Sequence, residues 1–512
     1  MDIQWVRDNL ETEELLAAKP AQITVESEAV LPGGLREEAQ VYYADAEAVV
    51  RGGELNGNRI TTDGKVNFHA LYAQGDMKKV QALEASADFS QALPLQKENA
   101  QQLSGRVTAR ARVMKVTGRV FGGRMLLQAV VALSAEAAVP RSVSYIRDAE
   151  ETAGLEKTMQ EIPYERAVGE GENQSLIKEE IELTDVLQVR DTLFATAHAQ
   201  VEDILGGADG KAVVTGSIQL EACHTSDMPG RPLIYTRHTL PYEQAVQLTG
   251  APGESMAAMS EVCDTAVLTQ DGPDGSRVMR TEIQLRTRVT AVADQKISAL
   301  RDAFTLRGDN ISCRGKQVVF RTGTVNEQAA ESGRAVVTLP EGSPRVRTPL
   351  LAFARPIPVK TEKKGEKLIT EGVMEVSLLY LTDDSDIPVS VQQEQPFRAV
   401  FTTKAEPGDE MDLTVLQAEP SAVTGDRVEV KYILQLQAEG VRKAGAALIT
   451  DAVPAAVTPP SEKGIALYFL QPREELWDVA RHFRMPVQAL KSLNPDLTET
   501  LMPGTKIIAY KR

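Results

Sequence analysis

Cysteine is scarce in this sequence and poorly placed for cross-linking. Cys223, Cys263 and Cys313 are odd in number and far apart, which argues against a disulfide framework. A reducing cytoplasm is the expected setting. Histidine is sparse as well for a chain this long. His69, His198, His224, His238 and His482 form no close pair with metal-ligand spacing. Positive charge is outweighed: 56 Lys and Arg face 72 Asp and Glu, a net charge of −16. No sequence-wide basic surface is therefore expected to attract nucleic acid or anionic lipid. Long apolar runs are missing too. The most apolar stretch, Met125 to Val139, is interrupted by Gln128, Ser134 and Glu136 and falls short of the ~20 residues a spanning helix needs. The opening residues lack the cationic start and apolar core of a secretory signal, so a soluble, non-inserted protein is expected.

What is present is globular. The chain has 512 residues, 42% hydrophobic and 25% charged, with Gly and Pro spread along it. At about 100–200 residues per domain, three or four domains are expected.

Internal repetition gives the organisation. Gly64 is followed eight residues later by Tyr72, and Gly372 likewise by Tyr380, each tyrosine preceded by a leucine. Seventeen residues beyond each tyrosine stands a phenylalanine, Phe89 and Phe397. A fainter copy runs from Gly216 through Cys223 and His224 to Pro241 and Tyr242. Upstream, Val49 and Val201 precede their glycines by fifteen residues, and Val359 by thirteen, which reads as a small deletion. Downstream, Arg124, Arg277 and Arg427 each open an apolar-rich run. The recurring aromatics read as core residues. Alternation in Val66, Phe68, Ala70 and Tyr72, and from Val428 to Leu436, predicts half-buried antiparallel strands. Turn signals such as Asn56-Gly57 and Gly122-Gly123 separate them.

The expected fold is mainly β: three tandem antiparallel β-rich domains of sandwich or barrel type, followed by a small α+β domain. Their expected bounds are 20–165, 175–320 and 325–452, arranged as beads. Residues 1–19 are expected to be helical, with Ile3, Val6, Leu10 and Leu15 on one face. That face packs on the first bead or serves as a partner's docking helix.

A Pro/Ala linker at 453–463 leads to a module at 464–512. The pattern there is strand, helix, helix, strand (β-α-α-β). Glu474 and Glu475 supply acid at the first helix start. From Gly464 onward there are seven Lys/Arg and five Asp/Glu, a net of +2 against −18 for the rest.

Tyr468, Gln471-Pro472, Leu476-Trp477, Val487, Leu490, Leu493-Asn494-Pro495, Pro503-Gly504 and Ile507 resemble the LysM family. That resemblance implies the β-α-α-β fold and the binding of N-acetylglucosamine-containing glycans such as peptidoglycan. Where the family commonly carries Gly-Asp-Thr or Gly-Asp-Ser, this chain has Arg473-Glu474-Glu475. The candidate binding residues are Pro472, Arg473, Glu474, Glu475 and Trp477 on one side, and Asn494, Pro495, Asp496 and Leu497 on the other. Trp477 is either half buried in the module or a contact anchor. Arg473 is a turn residue, or an anchor for a partner's carboxylate.

Three acidic β-rich repeats with a C-terminal LysM resemble the clostridial SipL-type spore-coat morphogenetic proteins, whose repeats are SPOCS-type domains. The resemblance implies a non-enzymatic scaffold on the mother-cell side of the forespore. It implies that the LysM end docks on the coat's basement-layer ATPase, with other coat proteins as further partners. The alternative reading is a peptidoglycan tether.

No catalytic constellation, metal site or cofactor motif is evident. Cys223, His224 and His238 suggest zinc only superficially, because adjacent strand residues face opposite ways and a fourth ligand is missing. The stretch from Gly206 to Lys211 is one residue short of a phosphate loop and has Ala212 where Ser or Thr should bind magnesium; a hairpin turn is the better reading.

Overall fold

The computed structural model describes every residue except 1–2, 32–38, 75–78, 97–103, 151, 185–187, 208, 252, 254, 273–275, 307–309, 425, 456–463, 498–500 and 512. It is mainly β, as expected, and all its strand pairings among the described residues are antiparallel. The strands fall into three successive sheet pairs.

The first pair is built from β1 (Trp5–Ala17), β2 (Ala21–Val30), β3 (Ala39–Asn56), β4 (Arg59–Gln74), β5 (Val80–Pro94), β6 (Arg106–Phe121) and β7 (Arg124–Ala149). One sheet has β7 at its centre, paired with β1, β2 and β6; the other runs β3-β4-β5. The second pair uses β8 (Leu155–Leu183), β9 (Val189–Gly206), β10 (Lys211–Ser226), β11 (Leu233–Gln247), the two-residue β12 (Thr249–Gly250), β13 (Ser255–Asp271) and β14 (Arg277–Thr305). Its sheets are β12-β8-β14-β13 and β11-β10-β9. The third uses β15 (Asn310–Thr338), β16 (Val346–Lys364), β17 (Lys367–Thr382), β18 (Val389–Thr402), β19 (Glu410–Thr424) and β20 (Arg427–Ala455), in sheets β15-β20-β19 and β16-β17-β18.

The N-terminal segment is a strand, not a helix. β1 and β2 run along β7 as the single strands β8 and β15 run along β14 and β20. Pro20, which has no amide hydrogen to give a ladder, stands at the break between them. The helical spacing of Ile3, Val6, Leu10 and Leu15 is overridden because β7 offers hydrogen bonds along the whole segment.

Strands cross the expected boundaries as well. β8 runs through 165 and 175, and β15 through 320 and 325. The linker expected at 453–463 begins inside β20, and its residues 456–463 lie outside the described residues.

The recurring glycines are placed by close packing. Gly64 pairs with Phe89, Gly216 with Tyr242 and Gly372 with Phe397 across adjacent strands. A Cβ on Gly64 would stand 2.3 Å from the Phe89 ring, and one on Gly216 2.7 Å from the Tyr242 hydroxyl. On the other side the same glycines pair with Val50, Val201 and Pro358, followed in each case by a bulge at Arg51, Glu202 and Val359. The counterparts of Val359 are therefore Arg51 and Glu202; the expected deletion in the third copy disappears against the first, and the second carries one residue more. A bulge residue has no cross-strand partner, so counting along the sequence misaligns it.

Each sheet pair has its own core. Phe68 and Tyr72 sit in the first, Ile218 and Leu220 in the second, Val376 and Tyr380 in the third. The bead arrangement, however, is corrected by three further clusters that draw on all three pairs. One joins Tyr42, Leu71, Phe194, Cys223, Phe353 and Leu379. The middle strands β4, β10 and β17 thus bury both faces, one on their own core and one on the shared cluster. The ring closes through β5 beside β9, β11 beside β16 and β18 beside β3.

The other two shared clusters lie where β1/β7, β8/β14 and β15/β20 continue as two-stranded ribbons. Tyr145, Ile297 and Phe320 meet in one, and Ile146, Leu300 and Ile449 in the other. Each ribbon carries a bulge followed by an aspartate: Arg147-Asp148, Arg301-Asp302 and Thr450-Asp451. The architecture is pseudo-threefold.

After it come β21 (Gly464–Phe469), α1 (Leu476–Phe483), α2 (Val487–Leu493) and β22 (Lys506–Lys511), with β21 and β22 paired. The helices cover one face of this small sheet around Val479, Phe483, Leu490 and Ile507.

Candidate functional site

The turn from β21 into α1 is held by its own carboxylates. Glu474 accepts hydrogen bonds from the Tyr468 hydroxyl at 2.9 Å and the Gln471 amide at 2.8 Å. The hydrogen bond to Glu474, with burial, pushes the Tyr468 phenol up. Arg473 adopts φ 70, a left-handed conformation that a non-glycine residue seldom takes, and is exposed beside exposed Pro472. Glu475 caps α1: its amide donates to Asp478 Oδ2 at 2.8 Å in a reciprocal capping box.

Glu475 and Trp477 then turn toward the β body. Glu475 pairs with Arg301 at 2.8 Å, and that guanidinium holds the Glu475 carboxyl below its usual range. Trp477 Nε1 donates to Asp302 Oδ2 at 2.9 Å, and its ring meets Phe304 edge-on at 5.0 Å. Arg481 donates to the same Asp302 oxygen at 2.6 Å and to the Ile311 carbonyl at 3.1 Å. Trp477 is thus a contact anchor, but within the chain. Of the three quasi-equivalent ribbon aspartates, Asp302 receives the module. Asp148 instead pairs with Lys157 at 2.6 Å and Asp451 with Arg7 at 3.4 Å.

The second half of the candidate groove divides likewise. Asn494 is buried; its Nδ2 donates to the carbonyls of Leu490 and Ile508 at 2.8 Å, and its Oδ1 accepts from the Ile508 amide at 2.7 Å. It staples α2 to β22. Leu497 packs on the module's core, while Pro495 and Asp496 are exposed. Of the nine candidate residues, Pro472, Arg473, Glu475, Pro495 and Asp496 are exposed, and of these Glu475 is engaged by Arg301.

The sequence reading missed a different surface. On the uncovered face of the β21–β22 sheet, Ile465 pairs with Tyr510 and Leu467 with Ile508, next to Phe469. These side chains are 72%, 43%, 50%, 41% and 52% exposed, respectively, where a two-stranded sheet covered on one face should carry polar residues. The signal was the unbroken apolar run from Ile465 to Leu470, which has no polar alternation.

In the second sheet pair, the Cys223 side chain joins the shared cluster, where burial pushes its thiol up. The His224 ring nitrogens contact Thr192 Oγ1 at 2.9 Å and Thr236 Oγ1 at 2.7 Å. Gly206 pairs with Ala212 across the turn once compared with a phosphate loop. Among the described residues, no group of three or more His, Cys, Asp and Glu side chains is placed to hold a metal ion. Among them, too, no helix is long and apolar enough to cross a membrane. No protein-family model matches the chain, nor does any curated protein or solved structure.

Proposed function

We propose that this chain is a non-enzymatic scaffold of the spore-coat type, whose C-terminal module is a LysM domain adapted to bind protein. Three β-rich domains, closed into one body, present the module for docking on the coat's basement-layer ATPase and on other coat proteins. The mother-cell cytoplasm at the forespore surface is the matching location.

The observation that carries this reading is the exposed apolar face of Ile465, Leu467, Phe469, Ile508 and Tyr510. Burying such a face contributes about 25 cal/mol per Å2 of apolar surface removed from water, which suits a protein interface. A sugar groove has less to work with, because Glu474 and Asn494 are spent inside the module.

The test compares the full-length chain with Leu467→Arg for binding to the basement-layer ATPase, and both for pelleting with purified peptidoglycan. Leu467 is half exposed, so the substitution leaves the module folded. Loss of ATPase binding by the variant is the expected result. Unchanged ATPase binding refutes the proposed docking face, and saturable peptidoglycan pelleting instead restores the tether.

A further inference from the structure

Between the first and second sheet pairs lies a cleft of about 250 Å3 lined by Val49, Arg51, Lys65, Gln174, Cys263, Gln284 and Arg286. In a chain of net charge −16, the described residues of this lining are three cations, two carboxamides, Val49 and Cys263, with no carboxylate among them. Arg286 is 4% exposed. Its Nη2 donates to the Val50 carbonyl at 2.7 Å and to Glu261 Oε2 at 2.5 Å. Its Nε is buried and has no hydrogen-bond partner among the described residues. An unpaired buried donor on a charged group is costly and calls for an acceptor.

The pseudo-threefold fold provides an internal control. Arg51 occupies the bulge that follows the glycine-facing position, and the same bulge holds Glu202 and Val359 in the other sheet pairs. Lys65 follows Gly64, where Ser217 and Val373 follow the other glycines. The scaffold therefore does not require cations in these slots.

We propose that this cleft binds a phosphoryl dianion, as inorganic phosphate or as a small phosphomonoester. Two guanidinium groups, one ammonium and two carboxamides supply a set of donors suited to several oxygens on one centre. Arg286 is the fixed element, held by Val50 and Glu261. Lys65 now pairs with Asp264 at 3.3 Å and Arg51 with Asp88 at 2.9 Å. The carboxylates of both pairs are more than half exposed, and surface pairs of this kind contribute only about 0–1 kcal/mol, so both cations are exchangeable toward a ligand.

The experiment is calorimetric titration of the full chain with inorganic phosphate and, separately, with glycerol 3-phosphate, against chloride at matched ionic strength. Saturable binding of one ligand per chain is expected. Tighter binding of the ester identifies an organic phosphate as the ligand, and tighter binding of the inorganic ion identifies free phosphate. Lys65→Gln should weaken binding about tenfold, the loss of one charge-assisted hydrogen bond. Arg51→Glu, which installs the residue of the second sheet pair, should abolish it. Arg51 lies on open surface, so that variant retains its fold. No saturable heat with either ligand, or equal binding by both variants and the parent, overturns the proposal.

Discussion

Trp477 Nε1 donates to Asp302 Oδ2 at 2.9 Å, tying the first helix of the C-terminal module to a ribbon of the β body. The same carboxylate oxygen takes Arg481, and neighbouring Arg301 takes Glu475. Asp302 is mostly buried in this contact, whereas the Arg301–Glu475 pair is half exposed and contributes little. Asp302 is therefore the residue on which docking depends.

Removing that carboxylate should release the module without melting the body. In a Trp5→Phe background Trp477 is the single tryptophan, so its fluorescence reports docking alone. Asp302→Ala should forfeit about 2 kcal/mol, shifting the docked population about thirtyfold. The emission should move to longer wavelength and acrylamide quenching should rise, with the main thermal transition in place. Unchanged quenching would mean that Phe304 packing alone holds the module.

The shared core makes a second demand. Phe353 of the third sheet pair stacks on Tyr43 of the first at 3.8 Å, and lies 5.9 Å from Tyr235 and 6.3 Å from Phe194 of the second. Phe353→Ala should cost about 3–5 kcal/mol, as large-to-small changes in a packed core do. Because the ring touches all three sheet pairs, calorimetry should show one transition moving as a whole. A separate early transition from the third pair, with the others unmoved, would restore independent beads.

The parts legible in the sequence were those set by local spacing. Gly64 and Phe89 could be matched to Gly372 and Phe397 because each glycine is paired with an aromatic residue on the adjacent strand, a pairing repeated at the same separation. Arg124, Arg277 and Arg427 marked real strand starts for the same reason: each stands just after a hairpin turn. Ring closure was hidden because Leu71, Cys223 and Leu379 meet only through tertiary packing, and Cys223 interrupts the leucine that the other two share. The N-terminal strand was hidden because its pairing partner, β7, lies more than a hundred residues away. Trp477 stood out only as either a half-buried module residue or a contact anchor. Its seat was not legible, since Asp302 and Phe304 lie more than 170 residues upstream in an ordinary-looking strand.

His224 gives the fold a response to acid. Its side chain is fully buried, with Thr192 Oγ1 on Nδ1 and Thr236 Oγ1 on Nε2, and the Thr236 hydroxyl also meets His238 Nε2 at 3.0 Å. A neutral ring needs one donor and one acceptor, which two hydroxyls supply; a protonated ring needs both to accept. Burial, reinforced by His238, lowers the His224 pKa to about 4, against about 6.5 in an unfolded chain. Between those values the unfolded chain binds a proton that the folded chain refuses, so stability falls as pH drops from about 6.5 to about 4 and levels off below. The group's share of that loss is about 3 kcal/mol. His224→Gln loses its hydroxyl contacts and should be about 1–2 kcal/mol less stable than the parent at pH 7. The gap should close, and then reverse, as pH falls toward 4. Urea midpoints measured across that range test this: parallel curves for parent and variant would mean that the folded chain takes up the His224 proton as readily as the unfolded chain does.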